Sequence, residues 1–174
     1  MSYFVVDIEA DHTTPATGSM ISFGAVKVTE GLTETFYGEL APISPLWNPD
    51  ALKVSGFSRE ETLEFPEPDK TMKEFEEWIL KVNGENRPMF FSDNLAFDWM
   101  WIAYYFDLCN IKNPFGHSGS RIGDIIKGLE GKMHVNWKMW RKTKHDHNPV
   151  NDAMGNAEVL MLLKDKYNLK INFV

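Results

Sequence analysis

Tyr3-Phe4-Val5-Val6-Asp7-Ile8-Glu9 decides how the rest of the chain is read. Four apolar or β-branched residues in succession describe a strand buried on both faces. The run ends in two acids at i and i+2, which in a strand project from the same face. Two carboxylates crowded at the end of a buried strand repel each other, and a bound cation is the usual relief. The stretch therefore reads as the fixed side of a metal site that later segments complete.

Working outward, Asp11-His12-Thr13-Thr14-Pro15 is a polar turn, and Ser19 to Val28 is a second strand. Glu30-Gly31 turns the chain into a third strand over Thr33 to Leu40, giving an antiparallel meander. Pro42 to Phe65 holds turns and short helical pieces that start at Asn48-Pro49 and at Ser58-Arg59-Glu60-Glu61, a partial capping box. Met72, Phe75, Trp78, Ile79 and Val82 fall at helical spacing within a helix from Pro68 to Val82, which Asn83-Gly84 stops. Pro88 to Ser92 is a short strand, Leu95 to Leu108 an aromatic helix, and Lys112 to Ser120 the longest loop. Helices resume over Asp124 to Leu129 and Pro149 to Tyr167. This order predicts an α/β fold with a mixed central β-sheet flanked by α-helices, and one domain over residues 1–174.

The chain has a formal net charge of −7 and 43% hydrophobic residues. Acidity argues against gripping a long duplex, because phosphate binding needs clustered Lys and Arg. It leaves open an enzyme that holds a few nucleotides through metal ions. Cys109 stands alone, so no intramolecular disulfide is possible; that fits a reducing, cytoplasmic setting. No membrane-length apolar run is present, and none of the partners expected is a membrane.

Single motifs carry little here. About 0.9 Asp-x-Glu matches are expected by chance at this composition, and about 0.3 of the His-x-x-x-x-Asp spacing that joins His147 to Asp152. Asp7 and Glu9 have an ordinary reading as strand-end acids, Asp98 and Asp152 as acids in a helix's first turns, and His147 as a surface residue. Position weighs against those readings. Asp98 sits among Leu95, Trp101 and Ile102 at i−3, i+3 and i+4, where a carboxylate is costly unless paired or metal-bound.

Asp7-Ile8-Glu9 after an apolar strand, Asn94-Leu95-Ala96-Phe97-Asp98 opening a helix, and His147-Asn148-Pro149-Val150-Asn151-Asp152-Ala153 resemble, in order, the three motifs of the DEDDh 3′→5′ exonucleases. The segment from Asn48 to Ser58 is similar to the connection between the first and second motifs of that superfamily. The resemblance spans nearly the whole chain and implies a ribonuclease-H-like fold. It further implies hydrolysis of phosphodiester bonds at single-stranded 3′ ends, RNA slightly favoured over DNA, with release of nucleoside 5′-monophosphates. Asp7, Glu9, Asp98 and Asp152 would hold two Mg²⁺ ions, with Mn²⁺ as a substitute, and His147 would be the general base. By the same analogy Ala10, Met20, Phe57, Asn94 and Trp99 are candidate substrate contacts, Asn94 having helix capping as its simpler role. Some relatives are homodimers, and the aromatic content leaves room for that here.

Two residues depart from the pattern. Ala10 stands where many relatives have Thr, and Asp93 where many have His. Lys138, Arg141, Lys142 and Lys144, interleaved with Trp137 and Trp140, read equally as a nucleic-acid-tracking edge or as a solvated basic face over core tryptophans. Asp124 reads as a helix cap or a further site acid. The competing functions are a catalytically idle nucleic-acid-binding module of the same fold and a phosphodiesterase for a non-polymer substrate.

Overall fold

The computed structural model describes residues 1–173. Its centre is β1 (Ser2–Ala10), which pairs antiparallel with β2 (Met20–Lys27) on one side and parallel with β4 (Pro88–Ser92) on the other. Strand β3 (Thr35–Glu39) extends the sheet beyond β2, and β5 (Gly119–Arg121) extends it beyond β4. The sheet order is β3-β2-β1-β4-β5, mixed as expected.

Alternation along β1 divides the molecule into two apolar layers. Phe4, Val6 and Ile8 point to a layer closed by α3 (Pro68–Asn83) and α4 (Leu95–Leu108), through Phe75, Ile79, Trp101 and Phe106. Val5 points to the opposite layer, closed by α5 (Ile122–Glu130) and α6 (Pro149–Lys166), through Ile126, Ala153, Ala157 and Leu163. Asp7 and Glu9 share the parity of Val5, so they are directed towards α6. Much of the aromatic content fills the first layer. Phe23 and Phe75 meet edge-on with ring centroids 4.8 Å apart, and Phe4, Phe90 and Phe115 pack in the same manner at 5.3–5.7 Å.

Between β3 and α3 lie α1 (Pro49–Ser55) and α2 (Arg59–Thr62). Ser58 and Glu61 complete the capping box in full. Two elements differ from the sequence reading. β5 begins within the end of the stretch read as a loop, because Gly-Ser-Arg has no strand pattern and is extended only by parallel pairing with Phe90 to Ser92. A 3₁₀ turn over Trp137–Trp140 was also not anticipated. Among the described residues no helix is long and apolar enough to cross a membrane.

Candidate active site

The site begins where β1 ends. Asp7 lies opposite Gly24 of β2. A Cβ on Gly24 would stand 2.4 Å from backbone atoms of Pro149 and Val150, so glycine is what allows the start of α6 to rest on the sheet there. Asn148 caps α6, its Oδ1 accepting from the N–H groups of Val150 and Asn151 at 3.0 and 3.2 Å, and Pro149 occupies the first turn. Asp152 follows one turn into the helix. Its carboxylate comes together with those of Asp7 and Glu9, with one oxygen from each lying within 4.8 Å of the others. A register shift between Glu9 and Ala10 re-aims the end of β1 beside them.

Asp98 arrives from α4 and is buried, as are Glu9 and Asp152. Burial raises the Asp7 carboxyl well above the usual range, and the charges of Asp98, Asp152 and Glu9 add to it, with Arg141 opposing. Glu9 is pushed up to about 8 by burial, then by Asp152 and Asp98. Asp98 is pushed up to about 7, again first by burial; Ser92 and the backbone of Ile8 and Asn94 hold it down, and Asp93 raises it. Asp98 Oδ2 and Asp152 Oδ2 are buried with no hydrogen-bond partner among the described residues, and Asp152 Oδ1 has only the ring of His145 beside it. Four mutually repelling carboxylates, two of them with buried oxygens left unsatisfied, are what a hard, oxygen-seeking divalent cation would bind.

Asp7, Glu9 and Asp98 open into a cleft of about 380 Å³ that Ala10, Asn94 and His147 also line. His147 holds its backbone in the left-handed region (φ 62°), a conformation costing a non-glycine residue roughly 1 kcal/mol. Its Nδ1 is 3.7 Å from Glu9 Oε1. The loop that carries it is tied down by Glu158, which accepts from the N–H groups of Lys142 and Thr143 and from the Thr143 hydroxyl. Asp146 accepts from Asn148 N and Asn151 Nδ2, fixing the far end.

Of the residues singled out in the sequence, the five of the three motifs converge, and Ala10 and Asn94 reach the cleft. Asn94 is exposed there and makes no side-chain capping bond to α4, contrary to its simpler reading. Three proposed substrate contacts lie elsewhere. Met20 is fully buried, with its N–H bonded to Tyr105 Oη. Trp99 packs edge-on against Phe90 and lines a different cavity beside Asn113. Phe57 packs on Phe65 and faces a separate hollow with Trp47 and Arg59. Helical periodicity could not tell which side of α4 the site would use, and β2's alternation is uninformative when every residue in it is buried.

The basic stretch divides. The Arg141 side chain is 5% exposed, 3.6 Å from Asp93, 4.0 Å from Asp152 and stacked over the buried Trp137 at 5.2 Å. Lys138 pairs with Asp93 at 2.5 Å. Asp93 thus holds two basic side chains beside the site. Lys142 and Lys144 are exposed. Asp124 is an exposed partner of Arg121 and Lys127, away from the acids. One neighbour was missed: His145, whose Nδ1 is 2.7 Å from Asp152 Oδ1. Its position two residues before His147, in His-Asp-His, was the available signal.

Comparison with known proteins follows the same lines. The model of the Rv2179c-like 3′-5′ exoribonuclease domain matches residues 2–163. The chain is 33% identical over 177 residues to the 3′-5′ DNA exonuclease Cap18 of Escherichia coli, covering 95% of this chain and 92% of that protein. Its fold is similar to that of the nuclease domain of 3′hExo, a DEDDh family member solved with bound rAMP. That match has a TM-score of 0.74 at 17% identity and covers 98% of this chain and 96% of the other. Exonuclease I of E. coli, solved with a dT13 oligonucleotide, gives a TM-score of 0.75 at 14% identity, over 96% of this chain and 42% of that one.

Proposed function

The chain belongs to the Rv2179c-like 3′-5′ exoribonuclease domain family, and from that premise we propose that it works as a DEDDh-type exonuclease, removing nucleotides from single-stranded 3′ ends in a divalent-metal reaction with His147 as general base. The observation that carries this reading is that Asp7, Glu9 and Asp98 line one cleft with His147, while buried Asp152 brings its carboxylate to those of Asp7 and Glu9.

The donor set fits Mg²⁺ or Mn²⁺, since all four groups offer carboxylate oxygens and buried oxygens of Asp98 and Asp152 have no protein partner. Asp7, central in the cluster, would be shared between two ions; Glu9 and Asp152 would complete one set of ligands and Asp98 the other. When bound, such ions supply the charge that stabilises the attacking and leaving oxygens of an in-line displacement at phosphorus. β1 and α6 hold three of the acids on regular elements, so their positions change little as substrate comes and goes. His147, exposed on its loop beside Glu9, would accept the proton of the attacking water, a role that imidazole suits near neutral pH. Ala10 lines the cleft with backbone and a single methyl, so grip on the terminal nucleotide falls to main-chain groups there and to Asn94.

The family description names RNA and the E. coli relative is named for DNA, so both polymers enter the test. Single-stranded RNA and DNA labelled at either end are incubated with Mg²⁺ or EDTA. Stepwise, metal-dependent shortening from the 3′ end, abolished in a folded D7A variant, is the expected result. Shortening in EDTA, from the 5′ end, or at full rate in D7A refutes the reading. An idle binding module would bind the strands and release no mononucleotide.

A further inference from the structure

His145 has no part in the chemistry above, yet it is aimed at the site. Its Nδ1 lies 2.7 Å from Asp152 Oδ1, and its ring meets that of His147 edge-on with centroids 4.3 Å apart. One ligand atom from each of His145, His147 and Asp152 falls within 4.8 Å of the other two. Asp152 is anchored in α6 and is 2% exposed, and apart from the approach of His145 its buried oxygens have no partner among the described residues. The two histidines are about half exposed on the loop between the Glu158 anchor and the α6 cap. A fixed, unsatisfied carboxylate thus faces two adjustable imidazoles.

We propose that His145, His147 and Asp152 form a second cation site, selective for Zn²⁺ and similar imidazole-seeking divalent ions, that inhibits the enzyme. Two nitrogens and one carboxylate are a zinc-type donor set, whereas the oxygen-only cluster of Asp7, Glu9 and Asp98 suits Mg²⁺. A four-coordinate zinc ion draws its ligand atoms to roughly 3.3 Å from one another, given Zn–N bonds of about 2.0 Å. Rotation of two exposed rings about a stationary carboxylate covers the difference. Glu9, 3.7 Å from His147, is placed to offer a fourth ligand.

The site shares Asp152 with the Mg²⁺ ligands and takes up the ring that would serve as base. Zinc bound there would remove both from turnover, and by holding Asp152 it would compete with the ion that Asp7, Glu9 and Asp152 would share, leaving the ligand Asp98 untouched. The inhibitory half of this proposal rests on the exonuclease reading; the binding half does not.

The test is calorimetric titration of Zn²⁺ into the whole chain in excess Mg²⁺, for wild type and for H145Q. Wild type should take up Zn²⁺, and H145Q should bind it roughly tenfold or more weakly, a loss that even an outer partner's removal produces at metal sites. In nuclease assays H145Q should match the wild-type rate in Mg²⁺ alone and resist Zn²⁺ inhibition by a similar factor. In wild-type NMR spectra, Zn²⁺ should move the ring signals of His145 and His147 and leave those of His12, His117 and His134 in place. Equal Zn²⁺ affinity in H145Q, or ring signals of His145 that do not move, overturns the site. Lost affinity in H145Q with no nuclease activity in any variant upholds the site and refutes the exonuclease reading instead.

Discussion

Replacing Glu9 with Gln in metal-free protein should stabilise it, and increasingly so as pH rises. In the folded chain Glu9 is pushed from 4.5 to about 8 by burial and by Asp152 and Asp98. The folded state therefore holds a proton that the unfolded chain has released between those pH values, so stability is greatest below about 4.5 and falls as pH rises towards 8. Since one pH unit corresponds to about 1.4 kcal/mol, the loss attached to Glu9 is roughly 5 kcal/mol. Gln keeps the shape of the protonated acid and cannot ionise. In EDTA, E9Q should equal wild type near pH 4.5 and exceed it at pH 8 by about 4–5 kcal/mol. For a domain of this size that is roughly 10–20 °C in melting temperature. With Mg²⁺ at pH 8 the order should reverse, because wild type gains binding energy and E9Q has lost a ligand. Melts followed by circular dichroism between pH 5 and 8, with and without Mg²⁺, measure both. A wild-type melting temperature in EDTA that does not fall across this range, or an E9Q protein no more stable than wild type at pH 8, would refute the view of these acids as a repelling cluster awaiting a cation.

Other outcomes follow from the same geometry. D7A should lose turnover by roughly a thousandfold or more, several kcal/mol of transition-state stabilisation, in single-turnover assays, while melting no lower than wild type in EDTA. H147A should slow hydrolysis by roughly 10²–10⁴-fold with the melting temperature nearly unchanged, since its ring is half exposed. G24A inserts a methyl into the backbone of Pro149 and Val150, so a loss of at least about 1–3 kcal/mol in urea denaturation should accompany loss of activity as α6 shifts Asp152. N148A removes the cap of α6 and should cost about 1 kcal/mol by the same measurement.

What the sequence determined by itself was the part written in local pattern. The apolar run of β1, the aromatic helix α4 and the long α6 are each specified by residues close in the chain, and the strict parity of a strand put Asp7 and Glu9 on one face. Asp98, His147 and Asp152 were singled out by resemblance, because three short motifs occur along the chain in the order found in the DEDDh exonucleases. Tertiary structure decided what no local pattern encodes. Pairing with β4 made a strand of Gly119–Arg121. Which face of α4 and β2 turned inward sent Trp99 and Met20 into the packing instead of the cleft. The fold of the loop after Trp140 buried Arg141 beside Asp93 and set His145 against Asp152. A motif names residue types at fixed spacing, whereas the neighbours of a side chain come from elements far away in sequence, and only their packing sets which charges meet. Asp7 and Glu9 were legible as a pair; the unsatisfied oxygens of Asp152, and the two imidazoles turned towards them, appeared only once Gly24 had let α6 settle on the sheet.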